Sequence, residues 1–200
     1  MGILGPSRDE ILQSIAESTN GEFIKGKLFK TSYVKYTHSV WSYYLDDYSI
    51  QAGNVPIIYT RLRAPFINKK GFDLTIYKKS IFSNIAKTLG GQDIATGDHD
   101  FDEEWIVKGS SEDLVKKILK FGNIRELIKN EEKLKIEIKR VEGKENKKNQ
   151  ETESQITFLV QDYIKDEDRV INLIKLIESL LDAFLINDIT VEEAPYSSYE

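Results

Sequence analysis

Residues 41–66 read WSYYLDDYSIQAGNVPIIYTRLRAPF, and this stretch decides the fold class. Aromatic and β-branched residues, which favour strands, dominate both halves, and Gly53-Asn54 between them is typical of a turn. We predict two antiparallel strands, because a connection this short cannot hold a crossover helix. Pro65 has no N–H group to donate, so we predict that the second strand lies at a sheet edge or ends there.

Strand patterns continue on both sides of this pair. Residues 23–24 and 33–36 precede it and residues 72–78 follow it, which predicts an antiparallel meander. Residues 134–138 and 156–160 alternate apolar and polar side chains, as half-buried strands do. These last two segments are predicted to pair as a hairpin.

Helical patterns frame the strands. Ser7 and Glu10 form a capping box, which predicts a helix over residues 8–18. Asp166 is a capping residue for a helix over residues 167–187, whose wide apolar face indicates deep burial or a partner helix. Central helices are predicted over residues 80–89, from Ser110 or Ser111 onward, and through Ile128.

Together these segments predict one α+β domain over residues 1–200. A mainly antiparallel sheet is expected, covered by the N-terminal helix, the central helices and the long C-terminal helix. Residues 92–104 are predicted to be an acidic loop. Residues 143–153 (GKENKKNQETE) contain no apolar side chain, so a mobile hairpin tip is expected there, and residues 192–200 are expected to be a frayed tail.

Composition restricts the function class. The absence of cysteine excludes disulfides, thiolate metal sites and cysteine nucleophiles. The net charge of −5 disfavours nucleic acid and anionic bilayers as partners. No signal-peptide pattern opens the chain, and Pro6 departs from the myristoylation motif at Gly2. No segment has the length and apolarity of a transmembrane span, so a cytoplasmic location is predicted.

A candidate ligand site lies on the second strand of the opening pair. Tyr59, Arg61 and Arg63 alternate along it, so their side chains project from one face. Two guanidiniums beside a phenol suit a phosphate or carboxylate ligand. The alternative, which we favour, is that the arginines pair with Asp46, Asp47 or Asp73 on neighbouring strands.

A candidate metal site lies in the acidic segment. Asp98, Asp100 and Asp102 match the first three ligand positions of a calcium-binding EF-hand loop. The match then fails, because Glu103 stands where glycine is needed and Gly109 stands where the bidentate glutamate belongs. The alternative is a solvated turn in which the aspartates accept local backbone hydrogen bonds.

Long motifs carry a family resemblance. They are MGILGPSRDEI at residues 1–11 and YTRLRAPFINKKGFDLTIYKKSIFSNIAKTLGGQDIATGDHDFDEEWIVKG at residues 59–109, followed by the strand–helix ending. The chain resembles a family of uncharacterised bacterial proteins that carry TRxRAP and QDIxxGDxxFDxxFxxKG. The resemblance covers nearly the whole chain and implies a cytosolic bacterial protein with no known activity or cofactor. That family often has proline where His99 stands, which puts a catalytic role for His99 in doubt.

No acid, base and nucleophile set converges in the sequence, so we predict a non-catalytic binding or interaction module without a cofactor. Its expected partner is an unidentified protein, or a second copy that contacts the C-terminal helix. Two alternatives stay open. One is a small-ligand or lipid-binding module with an apolar pocket between sheet and last helix. The other is a metal-assisted hydrolase that uses the acidic segment and His99.

Overall fold

The computed structural model describes residues 5–27, 30–52, 54–81, 92–146 and 151–195. Helices and strands follow one another along the chain, and the strands form one large sheet, which confirms the α+β prediction. The elements are α1 (Arg8–Ser18), β1 (Glu22–Ile24), β2 (Tyr33–His38), β3 (Trp41–Ala52), β4 (Val55–Asn68), β5 (Leu74–Lys78), α2 (His99–Glu104), β6 (Trp105–Gly109), α3 (Glu112–Leu119), α4 (Ile124–Lys129), β7 (Leu134–Asn146), β8 (Glu151–Val160) and α5 (Glu167–Ile186).

The described strands form one sheet in the order β1-β2-β3-β4-β8-β7-β5-β6, and every neighbouring pair is antiparallel. The predicted meander holds from β1 to β4. It is wrong for β5, because β8 and β7 lie between β4 and β5. Side-chain alternation identifies strands but does not say which strands become neighbours, so the error lies in strand order.

Pro65 predicted that β4 lies at a sheet edge or ends there; the edge is wrong, whereas β4 does end shortly after Pro65, at Asn68. β4 lies between β3 and β8, and Pro65 pairs in register with Gln155. The pairing of β4 with β3 stops at Tyr44 opposite Arg63. Pro65 therefore lies beyond the end of that ladder, where its missing N–H costs no hydrogen bond to β3.

Two loop predictions need correction. Residues 99–104 form helix α2 instead of a loop, since the Asp98 side chain accepts the Phe101 N–H at the helix start and Phe101 is buried. Residues 143–146 and 151–153 belong to β7 and β8, so the strands extend into the predicted mobile tip. Residues 147–150 and 196–200 lie outside the described part, as does the predicted helix over residues 80–89 beyond its start.

The helices pack on one face of the sheet, here called the helix face. Leu62, Phe158 and Ile136 stand side by side there on β4, β8 and β7. Helix α5 supplies eight buried residues to this core: Val170, Leu173, Leu176, Ile177, Leu180, Leu181, Ala183 and Phe184. The wide apolar face of α5 is thus buried within the chain. None of the described helices has the length and apolarity needed to cross a bilayer.

The ends of α1 and α5 agree with the capping predictions. The Ser7 hydroxyl accepts the Glu10 N–H, and the Glu10 carboxylate accepts the Ser7 N–H at 2.7 Å. At α5, the Asp166 side chain accepts the Arg169 N–H at 3.1 Å. These bonds satisfy N–H groups that have no partner inside a helix, which explains why both helices begin where the sequence indicates.

Candidate functional site

The three predicted ligand residues lie on the sheet face opposite the helices, here called the second face. Arg61 donates from Nε and Nη2 to the two carboxylate oxygens of Asp46, at 2.8 and 2.7 Å. Arg63 Nη2 donates to Asp46 Oδ2 at 2.6 Å. Asp46 is fully buried and lies opposite Arg61 in register. The favoured alternative, pairing with an internal aspartate, is confirmed for Asp46.

Tyr59 completes this group through an aromatic contact. Its ring lies 6.4 Å from the ring of Tyr48, and the Arg61 guanidinium stands 4.8 Å above the Tyr48 ring. Burial raises the pKa of the Tyr59 hydroxyl, and the neighbouring Tyr48 adds to the effect. Because both guanidiniums bind Asp46, an anionic ligand here would compete with a buried carboxylate. Ligand binding at Tyr59, Arg61 and Arg63 stays a prediction.

The acidic segment places its carboxylates in different roles. Asp98 caps α2 and accepts a hydrogen bond from Arg125 Nη1 at 3.0 Å. Asp102 accepts the Thr96 N–H at 2.9 Å, the Thr96 hydroxyl at 2.7 Å and the Gly97 N–H at 3.1 Å. The Asp100 side chain is 89% exposed. The backbone-binding alternative therefore describes Asp98 and Asp102 well.

A metal site at these residues finds little support in the geometry. The His99 side chain is 81% exposed and lies 3.8 Å from Asp100 and 3.7 Å from Glu103. Within the described ranges, no group of three or more histidine, aspartate or glutamate side chains is arranged to hold a metal ion. The predicted metal site at Asp98, Asp100 and Asp102 stays a prediction.

A feature that the sequence predictions missed is a two-stranded arm, residues 48–59. Pairing of β2 with β3 ends at Leu45, and pairing of β8 with β4 ends at Thr60. Beyond these points β3 and β4 have no other partner among the described strands and pair with each other from Tyr48 opposite Tyr59 to Ala52 opposite Val55. The arm therefore extends roughly 15 Å past both flanking strands.

The arm is uncharged and exposes several apolar side chains. Its exposed side chains include Tyr48, Ile50, Val55 and Ile58, with exposed fractions of 39%, 42%, 66% and 43%. No aspartate, glutamate, lysine, arginine or histidine occurs in residues 48–60, although 30% of the whole chain is charged. This uncharged run is the sequence signal that identifies the arm. An isolated hairpin is only marginally stable in water, so an arm of this kind is better suited to contact another surface.

A second group missed from sequence joins the sheet to α5. His38 Nε2 lies 2.8 Å from Asp182 Oδ1, and the Tyr43 hydroxyl donates to Glu178 Oε1 at 2.6 Å. Burial is the main cause that raises the pKa of Tyr43 well above its ordinary value, and the bond to Glu178 adds to it. The Tyr36 ring stacks on Tyr43, with centroids 5.2 Å apart. These contacts anchor the start of β3 to the last helix.

Comparison with known proteins adds no relative. No protein-family model matches the chain, and neither the curated proteins nor the solved structures gave a significant match. The resemblance to uncharacterised bacterial proteins therefore stays a prediction.

Proposed function

We propose that this protein is a non-catalytic interaction module, and that it binds a protein partner through the arm at residues 48–59. The observation that carries the proposal is the exposure of Tyr48, Ile50, Val55 and Ile58 on two strands that extend beyond the sheet. Tyr48, Ile50 and Val55 project from one face of the arm and Ile58 from the other, and exposed apolar surface of this kind marks interaction sites in soluble proteins.

The contrast with the two sheet edges supports the proposal. Unpaired strand edges attract other chains, and proteins protect them with short strands or with lysines. The β1 edge has only three residues and is followed by Lys25 and Lys27. The β6 edge carries Lys108. The outer edge of β3 in the arm has neither protection, which is expected of a surface that is covered in use.

The chemistry of the arm favours a protein over a lipid surface. Asn54 at its tip and Gln51 close to it are polar and exposed, and of the exposed apolar side chains named above only Val55 lies as near the tip. A tip that enters a bilayer would place these amides in the hydrocarbon first, which is costly. The absence of cationic residues from the arm also removes attraction to anionic headgroups.

Two further parts of the proposal follow from composition and resemblance. The absence of cysteine fits a reducing compartment, which supports a cytoplasmic location. The resemblance stated above supports a bacterial source.

The alternative of a small-ligand or lipid-binding pocket between the sheet and the last helix is less favoured by the packing. The Phe184 ring on α5 lies 5.4 Å from Phe66 and 5.9 Å from Phe72, so aromatic side chains occupy the space between the last helix and the sheet there.

Site-specific photocrosslinking tests the proposal. A benzophenone amino acid replaces Val55 on the arm, and a matched control replaces Val40, an exposed residue just before the other end of β3. Irradiation in cells should give a crosslink to a protein, either another protein or a second copy, from position 55 only. Equal crosslinking from both positions, or none from position 55, would remove the arm as the binding element.

A further inference from the structure

We propose that the partner of the arm is a second copy of this chain, added antiparallel along the outer edge of β3. This inference rests on the proposed function and names its partner. It predicts a symmetric dimer in which two β3 strands lie side by side.

The direction of the backbone groups on β4 follows from one hydrogen bond. The Thr60 N–H points away from β3 and donates to the Asp162 carbonyl at 2.9 Å. Backbone groups alternate along a strand, so Ile58 and Pro56 also point to the outer edge of β4. Proline has no N–H, so Pro56 weakens this edge as a template for another strand.

The outer edge of β3 has no such block. Asp46, Tyr48 and Ile50 lie opposite Arg61, Tyr59 and Ile57 and turn their backbone groups toward β4. Backbone groups alternate along a strand, so Asp47, Ser49 and Gln51 turn theirs outward. On this outer side, no described strand pairs with β3 beyond Leu45. Among the described strands, none covers this row of donors and acceptors and no proline interrupts it.

The outer edge of β3 can pair with the same edge of a second copy. When two copies pair antiparallel about Ser49, Asp47 lies opposite Gln51 of the other copy, and Tyr48 lies opposite the other copy's Ile50. Tyr48 and Ile50 then form a non-hydrogen-bonded pair, in which side chains approach most closely. Aromatic and β-branched residues in such pairs stabilise a sheet. Symmetry forms this contact twice, and it covers two of the exposed apolar side chains of the arm.

The charges near the arm also permit this pairing. Residues 48–60 are uncharged, so two arms meet without repulsion although each chain carries a net charge of −5. The nearest carboxylate on the outward row is Asp47, which accepts a hydrogen bond from Arg8 Nη2 at 2.6 Å. In the pairing about Ser49 this carboxylate faces an amide and not its own copy, which avoids a like-charge pair.

Sedimentation velocity of the purified full chain at about 100 µM tests the inference, because small interfaces reach micromolar affinity. The wild type should have twice the chain mass of 23.0 kDa. Ser49→Pro removes an outward N–H from the β3 edge and should raise the dissociation constant at least tenfold. Ile58→Pro removes an outward N–H from the β4 edge and should leave the dimer unchanged. Ile50→Lys is a second variant that should disrupt the dimer without altering the backbone.

Circular dichroism and unfolding midpoints confirm that each variant is folded. A monomeric wild type, or equal effects of Ser49→Pro and Ile58→Pro in folded proteins, would overturn the inference. Failure of the proposed function is distinguishable from this result. If the wild type is monomeric while position 55 still crosslinks to a different protein, the arm binds a partner but not its own copy. If position 55 crosslinks to nothing, both proposals fail.

Discussion

Asp46 lies directly opposite Arg61 on the neighbouring strand, and its two carboxylate oxygens accept both hydrogen bonds of the guanidinium fork. Arg63 adds a further bond to the same carboxylate at 2.6 Å. One fully buried carboxylate thus compensates two guanidiniums at the base of the arm. This arrangement holds β3 and β4 in register at the point where the strands leave the rest of the sheet.

We expect Asp46→Asn to destabilise the protein by about 3 kcal/mol or more, because it removes the negative charge of a fully buried carboxylate that hydrogen-bonds both Arg61 and Arg63. Urea unfolding measures the free energy change. Asp73→Asn is the control, since Asp73 is exposed, and its effect should stay within about 0.5 kcal/mol. Equal effects of the two substitutions would show that the buried carboxylate contributes little to stability.

The Asp102 carboxylate should contribute a pH-dependent part of the stability. Burial acts to raise its pKa, but the hydrogen bonds from Thr96 and Gly97 together hold the pKa below its ordinary value. A folded-state pKa below the unfolded one means that the contribution is present above the unfolded pKa and is lost as the pH falls through the folded pKa. Asp102→Asn should therefore cost about 1–2 kcal/mol at pH 7.

The difference in the free energy of unfolding between wild type and Asp102→Asn should shrink as the pH falls below about 4, where an aspartate in the unfolded chain protonates. Urea unfolding at a series of pH values measures it. A difference that is constant with pH would mean that the side chain acts through its shape and not through its charge.

Divalent cations should not stabilise the acidic segment. Asp98 and Asp102 would have to give up hydrogen bonds to Arg125, Thr96 and Gly97 to bind an ion. We expect Ca²⁺ or Mg²⁺ in excess to leave the unfolding temperature unchanged, since only an ion that binds the folded state raises it. A rise that Asp100→Asn abolishes would instead support the metal-assisted alternative.

Phe184 should be a major contributor to the core between α5 and the sheet. We expect Phe184→Ala to cost about 3–5 kcal/mol, because it leaves a cavity beside Phe66 and Phe72. Ile186, two residues later on the same helix, is exposed, and Ile186→Ala should cost less than about 0.5 kcal/mol. Urea unfolding compares the two variants.

Ile186→Lys distinguishes a dimer formed through the C-terminal helix from the proposed dimer formed through the outer edge of β3. Most of the apolar face of α5 is buried within the chain, so this substitution should leave the sedimentation coefficient unchanged. Loss of a dimer in Ile186→Lys, with the dimer retained in Ser49→Pro, would favour contact through the C-terminal helix over contact through β3.

Local structure was largely predictable from sequence where one side chain determines it. Ser7 and Asp166 cap α1 and α5 as predicted, because capping depends on residues within one turn. Helix α2 was missed because its six residues are mostly acidic, and only the buried Phe101 and the cap at Asp98 distinguish it from a loop. The order of the strands was not predictable from alternation, which is the same for any choice of neighbour.

The site was predictable only in part. The spacing of Arg61 and Arg63 placed both on one face, and Asp46 was among the expected partners. The arm was missed because its exposure depends on where β2 and β8 stop, and a strand pattern does not reveal where its neighbours end. The uncharged run at residues 48–60 was visible in the sequence, but its meaning required the sheet order.

The sheet order has a consequence for synthesis on the ribosome. β8 is the last strand along the chain, yet it occupies the middle of the sheet between β4 and β7. Until residues 151–160 have emerged, the two parts of the sheet have no strand to join them, and α5 has not yet been made to cover the helix face. Pairing across such long separations is slow and leaves strand edges open to aggregation. A nascent chain that stops before residue 151 should therefore depend on a chaperone, whereas the completed chain closes its own sheet.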